Sequence, residues 1–118
     1  MANIGGNVVA VLQVKEATGK KTPLGEAVTE WRTIGHQHGW LGLQSGDSKR
    51  SVYNAKIEES SHVFLCDYNA EFHKADSNKD RRLIVLDSIY DILLIDNPDE
   101  MNEQLEIYLR KIGAYNGD

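Results

Sequence analysis

The sequence predicts a mainly β domain: a small antiparallel barrel or sandwich of about six strands with two long loops. Three observations carry that prediction. Two β-rich runs, Arg82–Leu86 and Ile89–Ile95, flank Asp87-Ser88, and runs joined by two turn-forming residues read as a tight hairpin. The segment His62–Tyr68 sets Val63, Leu65 and Asp67 against His62, Phe64, Cys66 and Tyr68, the period of a strand. Polar stretches rich in Gly, Pro, Asn and Asp separate such runs along the chain, as turns between strands require. A chain of 118 residues fits one domain, 1–118.

Taken in order, Asn7–Lys15 is β-branched and free of Gly and Pro, and it forms the first strand. Ala17–Gly25 holds two glycines and Pro23 and is expected to be a loop. Val28–Ile34 alternates without a clean apolar face, which predicts an edge or strongly twisted strand with Trp31 packed inward. In Gly39–Gln44, the glycines around Trp40 mark a bulge or a close backbone approach. Ser45–Ser60 is a long polar loop whose 47–59 portion also has the spacing of a short helix, and Asn69–Asp80 is the second long loop. Asn97-Pro98 ends the strand after the hairpin, because proline cannot donate into a ladder. The last segment, 103–110, is read as a strand from Leu105, Ile107 and Leu109. Met101, Leu105, Tyr108, Leu109 and Ile112 also fit helical spacing, so the helix stays open.

Hydrophobic residues make up 41% and charged residues 26% of the chain, which excludes a disordered or collagen-like protein. No apolar run approaches the roughly 20 residues of a membrane helix, and the start, Met-Ala-Asn-Ile-Gly-Gly, lacks the features of a secretory signal. A single cysteine, Cys66, excludes an intrachain disulfide and suits a reducing compartment. The 18 acidic residues outnumber the 13 Lys and Arg, for a net charge of −5. Seven of those acids fall between Asp87 and Glu106, where no Lys or Arg occurs. That stretch repels a phosphate backbone, whereas dedicated nucleic-acid binders are basic.

His36, His38, His62 and Cys66 are the ingredients of a zinc site, but the spacing has no CxxC or helical HxxxH. Ordinary strand-edge histidines and a Cys66 packed as a small apolar residue are the preferred reading. The acidic run lacks the D-x-[DN]-x-[DN]-G loop of a calcium site, and no GxxxxGK[ST] phosphate loop exists. Trp31, Trp40, Phe64 and Tyr90 read as core rather than as a stacking platform, since basic residues do not interleave them. These patterns lead us to expect no enzyme, no cofactor and no bound metal.

The order of several soft motifs carries a resemblance. After the first strand come Gly25–Trp31, Gly39-Trp40-Leu41-Gly42-Leu43, and the block Tyr53–Phe64 with Asp67-Tyr68. Tyr90-Asp91-Ile92, Asp96-Asn97-Pro98 and Leu105–Leu109 follow. This order, from about Asn7 to about Gly113, resembles the head–tail joining (head closure, minor capsid) proteins of tailed bacteriophages and prophages of Gram-positive bacteria. Members of that family often place a basic residue before the strand-ending aromatic. Here Asp67 precedes Tyr68, so no phosphate contact is carried over.

The resemblance implies a structural virion protein, a small β-barrel in a homo-oligomeric ring, expected to be a dodecamer. Such a ring sits below the portal or adaptor protein, receives the tail terminator or tail completion protein, and retains packaged DNA that only passes through. It implies the virion as location, the host cytoplasm during assembly, and no membrane partner. Under this reading Lys49, Arg50, Tyr53 and Ile57 are expected to make inter-subunit loop contacts. Asp96, Asp99 and Glu100 are the expected acidic face of a DNA channel. The alternative is a small OB- or SH3-like barrel that binds a ligand or nucleic acid, which an exposed basic and aromatic face would favour.

Overall fold

The computed structural model describes residues 4–43, 60–75 and 78–116. Lys49, Arg50, Tyr53 and Ile57, and the helical spacing noted in 47–59, lie outside the described residues. Six strands run β1 Val8–Lys21, β2 Ala27–Leu43, β3 His62–Asp67, β4 Arg81–Val85, β5 Ser88–Asp96 and β6 Gln104–Ala114. A short helix, α1 Ala70–His73, precedes β4, and a 3-10 turn, Pro98–Glu100, precedes β6. All pairings are antiparallel. The order β1-β2-β3-β6-β5-β4 closes in a ring through β4 against β1.

Period-2 alternation decides which side chains fill the barrel. Ala10, Leu12 and Val14 of β1, Phe64 and Cys66 of β3, and Leu83 and Val85 of β4 point inward. Tyr90 and Ile92 of β5 and Leu105, Ile107 and Leu109 of β6 complete the lining. Segment 103–110 is therefore a strand from Gln104 onward, as its alternation predicted. On β2 the inward positions hold Gly39, which is buried, together with Ile34 and Leu41, which pack half-buried against the core. A Cβ on Gly39 would lie 2.4 Å from Phe64 Cζ and 2.5 Å from the Leu65 carbonyl oxygen. The close backbone approach expected of these glycines is thus located at Gly39, while Gly42 has nothing within 4 Å of its Cβ position.

Three boundaries differ from expectation. The first strand continues through Ala17 and Gly19 to Lys21, and β2 runs unbroken from Ala27 to Leu43. The loop expected over Ala17–Gly25 shrinks to Pro23-Leu24-Gly25. Thr22 closes it: its carbonyl accepts from Gly25 N at 2.9 Å, and its Oγ1 accepts from Glu26 N at 3.1 Å. Gly25, at φ 89°, takes the left-handed position that follows a three-residue hairpin turn. The second polar loop contains α1, whose N-cap Asn69 accepts from Glu71 N and Phe72 N. That cap turns Phe72 into the core, where it is fully buried.

The β4–β5 hairpin is present, but its turn is Leu86-Asp87 rather than Asp87-Ser88. Facing Leu83 with Tyr90 inside the barrel forces Val85 opposite Ser88, which leaves Leu86 and Asp87 as the two loop residues. Both are left-handed, at φ 50° and 63°, the geometry of a type I′ turn. Leu86 is 73% exposed and gains little from its side chain there. Leu86→Gly is expected to stabilise the fold by about 1 kcal/mol by removing left-handed strain, seen as a rise in the urea midpoint with unchanged slope.

The molecule measures 49 × 29 × 27 Å. One source of its length is the β1–β2 hairpin. β4 pairs with β1 only over Ala10–Val14, and β3 pairs with β2 only over Gly39–Leu43. The rest of the hairpin is a two-stranded arm beyond the barrel.

Candidate assembly surface

The arm leaves the barrel at a cation–aromatic stack. Trp31 pairs with Lys15, on the face of β1 opposite the inward Val14. It therefore lies on the outside of the sheet, half-buried, rather than packed inward as the sequence suggested. The Arg82 guanidinium stacks 4.2 Å from the Trp31 ring centroid and 5.7 Å from that of Tyr115. Lys15 Nζ lies 5.6 Å from the Trp31 ring. Arg82 Nε donates to Gln13 Oε1 at 2.8 Å, and Gln13 Nε2 donates to Thr33 Oγ1 at 3.1 Å. Arg82 is only 6% exposed, so this basic and aromatic group clamps the root of the arm to the barrel. Sequence spacing gave no sign of it, because Trp31 and Arg82 meet only across the closed sheet.

Further along the arm, Glu16 stands opposite Glu30, a like-charge pair that opposes strand pairing. Arg32 donates from Nε to Glu16, and Lys79 Nζ lies 3.5 Å from its other oxygen. The Arg32 hydrogen bond, with the charges of Arg32 and Lys79, holds the Glu16 carboxyl below its usual range. Between Lys15 and Ile34 no side chain is buried, and Leu24 at the tip is 89% exposed.

The acids of Asp87–Glu106 do not share one face. Asp87 lies in the hairpin turn at the far end from the arm, and Asp91 accepts from Arg110 Nη2 at 3.1 Å on the barrel wall. Asp96, Asp99 and Glu100 are brought together in and beside the β5–β6 connection, which leaves the barrel at the arm end. Asp96 is half-buried at the end of β5, whereas Asp99, Glu100 and Glu103 are exposed. Asn97 holds this connection. Its Nδ2 donates to Asn102 Oδ1 at 2.7 Å, and its Oδ1 accepts from Asn102 N at 3.1 Å.

The histidines and the cysteine are dispersed. His36 and His38 are exposed on one outer face of β2, while Cys66 points into the core. Burial and the neighbouring Asp67 charge push the Cys66 thiol up to about 12, which removes it as a nucleophile at neutral pH. Among the described residues, no three or more His, Cys, Asp or Glu side chains gather as metal ligands would. Of the four aromatics expected in the core, Phe64 and Tyr90 are there. Trp40 is 47% exposed, its Nε1 donating to the Ile4 carbonyl at 2.9 Å.

His62 sits on β3 edge-to-face with Tyr90, ring centroids 5.0 Å apart, with Nδ1 2.9 Å from Ser61 Oγ. Burial, assisted by the Lys111 charge, lowers its pKa below the usual 6.5. The unfolded chain therefore binds this proton at a higher pH than the folded one. The contribution is fully present above the unfolded value and lost as pH falls through it toward the lower folded value. A melting temperature that falls as pH drops below the ordinary histidine value of about 6.5 is expected, with the slope flattened in His62→Gln. The Glu16 contribution, from a depressed carboxyl, is lost only at lower pH, as the solution passes below the ordinary carboxylate value.

No family model matches the chain, and no curated protein matches it.

Proposed function

We propose that this chain is a structural subunit of a tailed-bacteriophage particle. In this reading it forms a head–tail connector (head closure) ring that joins the portal or adaptor to the tail and retains packaged DNA. The observation that carries the proposal is the arm: an ordered strand pair projects from a closed β barrel without burying a side chain of its own. A two-stranded ribbon is marginally stable by itself, and a ring subunit needs surface that reaches its neighbours. The resemblance in motif order adds the head–tail setting.

In that setting the acidic β5–β6 connection faces the passage of DNA, and Lys49, Arg50, Tyr53 and Ile57 contribute to contacts between subunits. Repulsion acts over a Debye length of about 8 Å at physiological salt, and it keeps the duplex centred rather than held. Reversing Asp96, Asp99 and Glu100 to Lys is expected to yield particles that eject DNA more slowly, because each new phosphate contact must be broken. Unchanged ejection from correctly assembled particles would remove these three from the channel.

The function itself is tested by deleting the gene from the phage or prophage that encodes it. Electron microscopy should then show heads and tails unjoined, with joining restored by the protein supplied in trans. Normal infectious particles without the protein would refute the proposal.

A further inference from the structure

The arm exposes two unlike backbone edges. On β1, pairing with the far side of the barrel ends where Lys15 N donates to the Asp80 carbonyl at 3.0 Å. Glu16–Lys21 beyond that point has β2 as its only partner strand among the described residues. On β2, the edge from Val28 to Ile34 likewise has β1 alone. An isolated two-stranded ribbon is at best marginally stable in water, and an open edge is a template for another strand.

The two edges also carry opposite charge. Glu16, Arg32 and Lys79 satisfy one another. That leaves Lys20 and Lys21 on the β1 side, and Glu26 and Glu30 at and near the β2 side, without an ion pair to any described residue.

We propose that the occupant of these edges is a second copy of this chain, with the β1 edge of one arm pairing antiparallel to the β2 edge of the next. Charge complementarity selects this pairing: like edges would set Lys against Lys or Glu against Glu, while unlike edges set the Lys20 and Lys21 end of one arm against Glu26 of the next, and a tilt of the arms carries Lys20 toward Glu30, which lies level with Glu16. Direction agrees as well. β1 and β2 run oppositely, so a neighbour's β1 laid beside β2 is antiparallel when both arms point the same way. A contact between two different patches is heterologous, and repetition generates a closed ring when the rotation allows.

Each copy adds two strands, about 9.6 Å of continuous sheet, whereas the narrowest dimension of the molecule is 27 Å. The arms can pair continuously only if they converge toward the ring axis with the barrels splayed outside. This inference rests on the ring proposed above and identifies the surface that makes it. The root is suited to the task, since the stack of Arg82 on Trp31 fixes the direction in which the arm leaves.

A charge-swap experiment on the full chain tests it. Glu26→Lys with Glu30→Lys makes both edges basic, and Lys20→Glu with Lys21→Glu makes both acidic. Native mass spectrometry at low salt should show rings for the wild type. Each variant alone should need about tenfold higher concentration to assemble, with no loss in melting temperature for the basic variant, because Glu30→Lys also removes the like-charge pair with Glu16. An equimolar mixture of the two variants should recover assembly, because basic edges then meet acidic ones. Amide exchange should slow in Glu16–Lys21 and Val28–Ile34 on assembly.

Variants that assemble like the wild type, a mixture that gains nothing, or a wild type that stays monomeric at every concentration would each overturn the arm pairing. Binding of a different protein at these edges would do the same. The ring reading fails by a separate result, normal particles in the absence of the protein, so the two are told apart.

Discussion

Gly39→Ala should lower the unfolding free energy by about 3 kcal/mol or more, the upper range for forcing volume into a packed core. The new methyl would sit 2.4 Å from the Phe64 ring and 2.5 Å from the Leu65 carbonyl oxygen. The ring could turn aside only into other core side chains, and the carbonyl belongs to the β3 ladder. The effect reaches further, because the N-terminal segment lies against the same residue: Asn7 N donates to the Gly39 carbonyl at 3.0 Å. Gly42→Ala, three residues along the same strand with open space at its Cβ position, is the control and should change stability by less than about 0.5 kcal/mol. Chemical denaturation of the two variants side by side measures the difference.

Phe72→Ala is expected to cost about 3–5 kcal/mol, the usual range for emptying a buried phenylalanine site. Phe72 is fully buried, yet it is supplied by a four-residue helix in a polar connection. Its placement depends on the Asn69 cap, whose Oδ1 accepts from Glu71 N at 3.0 Å and Phe72 N at 3.2 Å. Asn69 is also tied to β2, its Nδ2 donating to Gln37 Oε1 at 3.0 Å. Asn69→Ala should therefore lose about 1 kcal/mol through the cap, a fraction of the Phe72→Ala loss. Equal losses would mean that the helix, rather than the ring it delivers, stabilises this end of the barrel.

These two residues show where sequence pattern was informative and where it was not. Strands that face the core wrote their period into the sequence: Phe64 and Cys66 in β3, and Leu105, Ile107 and Leu109 in β6. The β4–β5 hairpin was legible for the same reason, although its turn moved by one residue once Leu83 had to face Tyr90. The arm had no such signature. Neither of its faces is buried, so Glu16–Lys21 and Ala27–Arg32 show no apolar alternation, and Gly19 and Pro23 read as an ordinary loop. What holds them extended is backbone pairing and the Thr22 turn, to which hydrophobic periodicity is blind. Phe72 was hidden by its polar surroundings; the available signal was the capping sequence Asn69-Ala70-Glu71-Phe72.

The candidate site divides in the same way. Asp96, Asp99 and Glu100 were expected to act together, and the β5–β6 connection does bring them to one end of the barrel. The wider acidic run does not form a single surface, because Asp91 is bonded to Arg110 and Asp87 turns at the opposite end. The clamp of Arg82 on Trp31 could not be read from spacing, since 51 positions of chain separate two residues that only barrel closure brings into contact.

The ring proposed for this chain at the junction of a phage head and tail has a direct structural signature. Electron cryo-microscopy of purified particles, reconstructed around the head–tail junction with cyclic symmetry, tests it most directly. A ring of density should appear between portal and tail, each subunit fitting the six-stranded barrel with its β1–β2 arm directed toward the axis. Particles whose junction holds no such barrel, and in which the chain is undetectable by mass spectrometry, would contradict it.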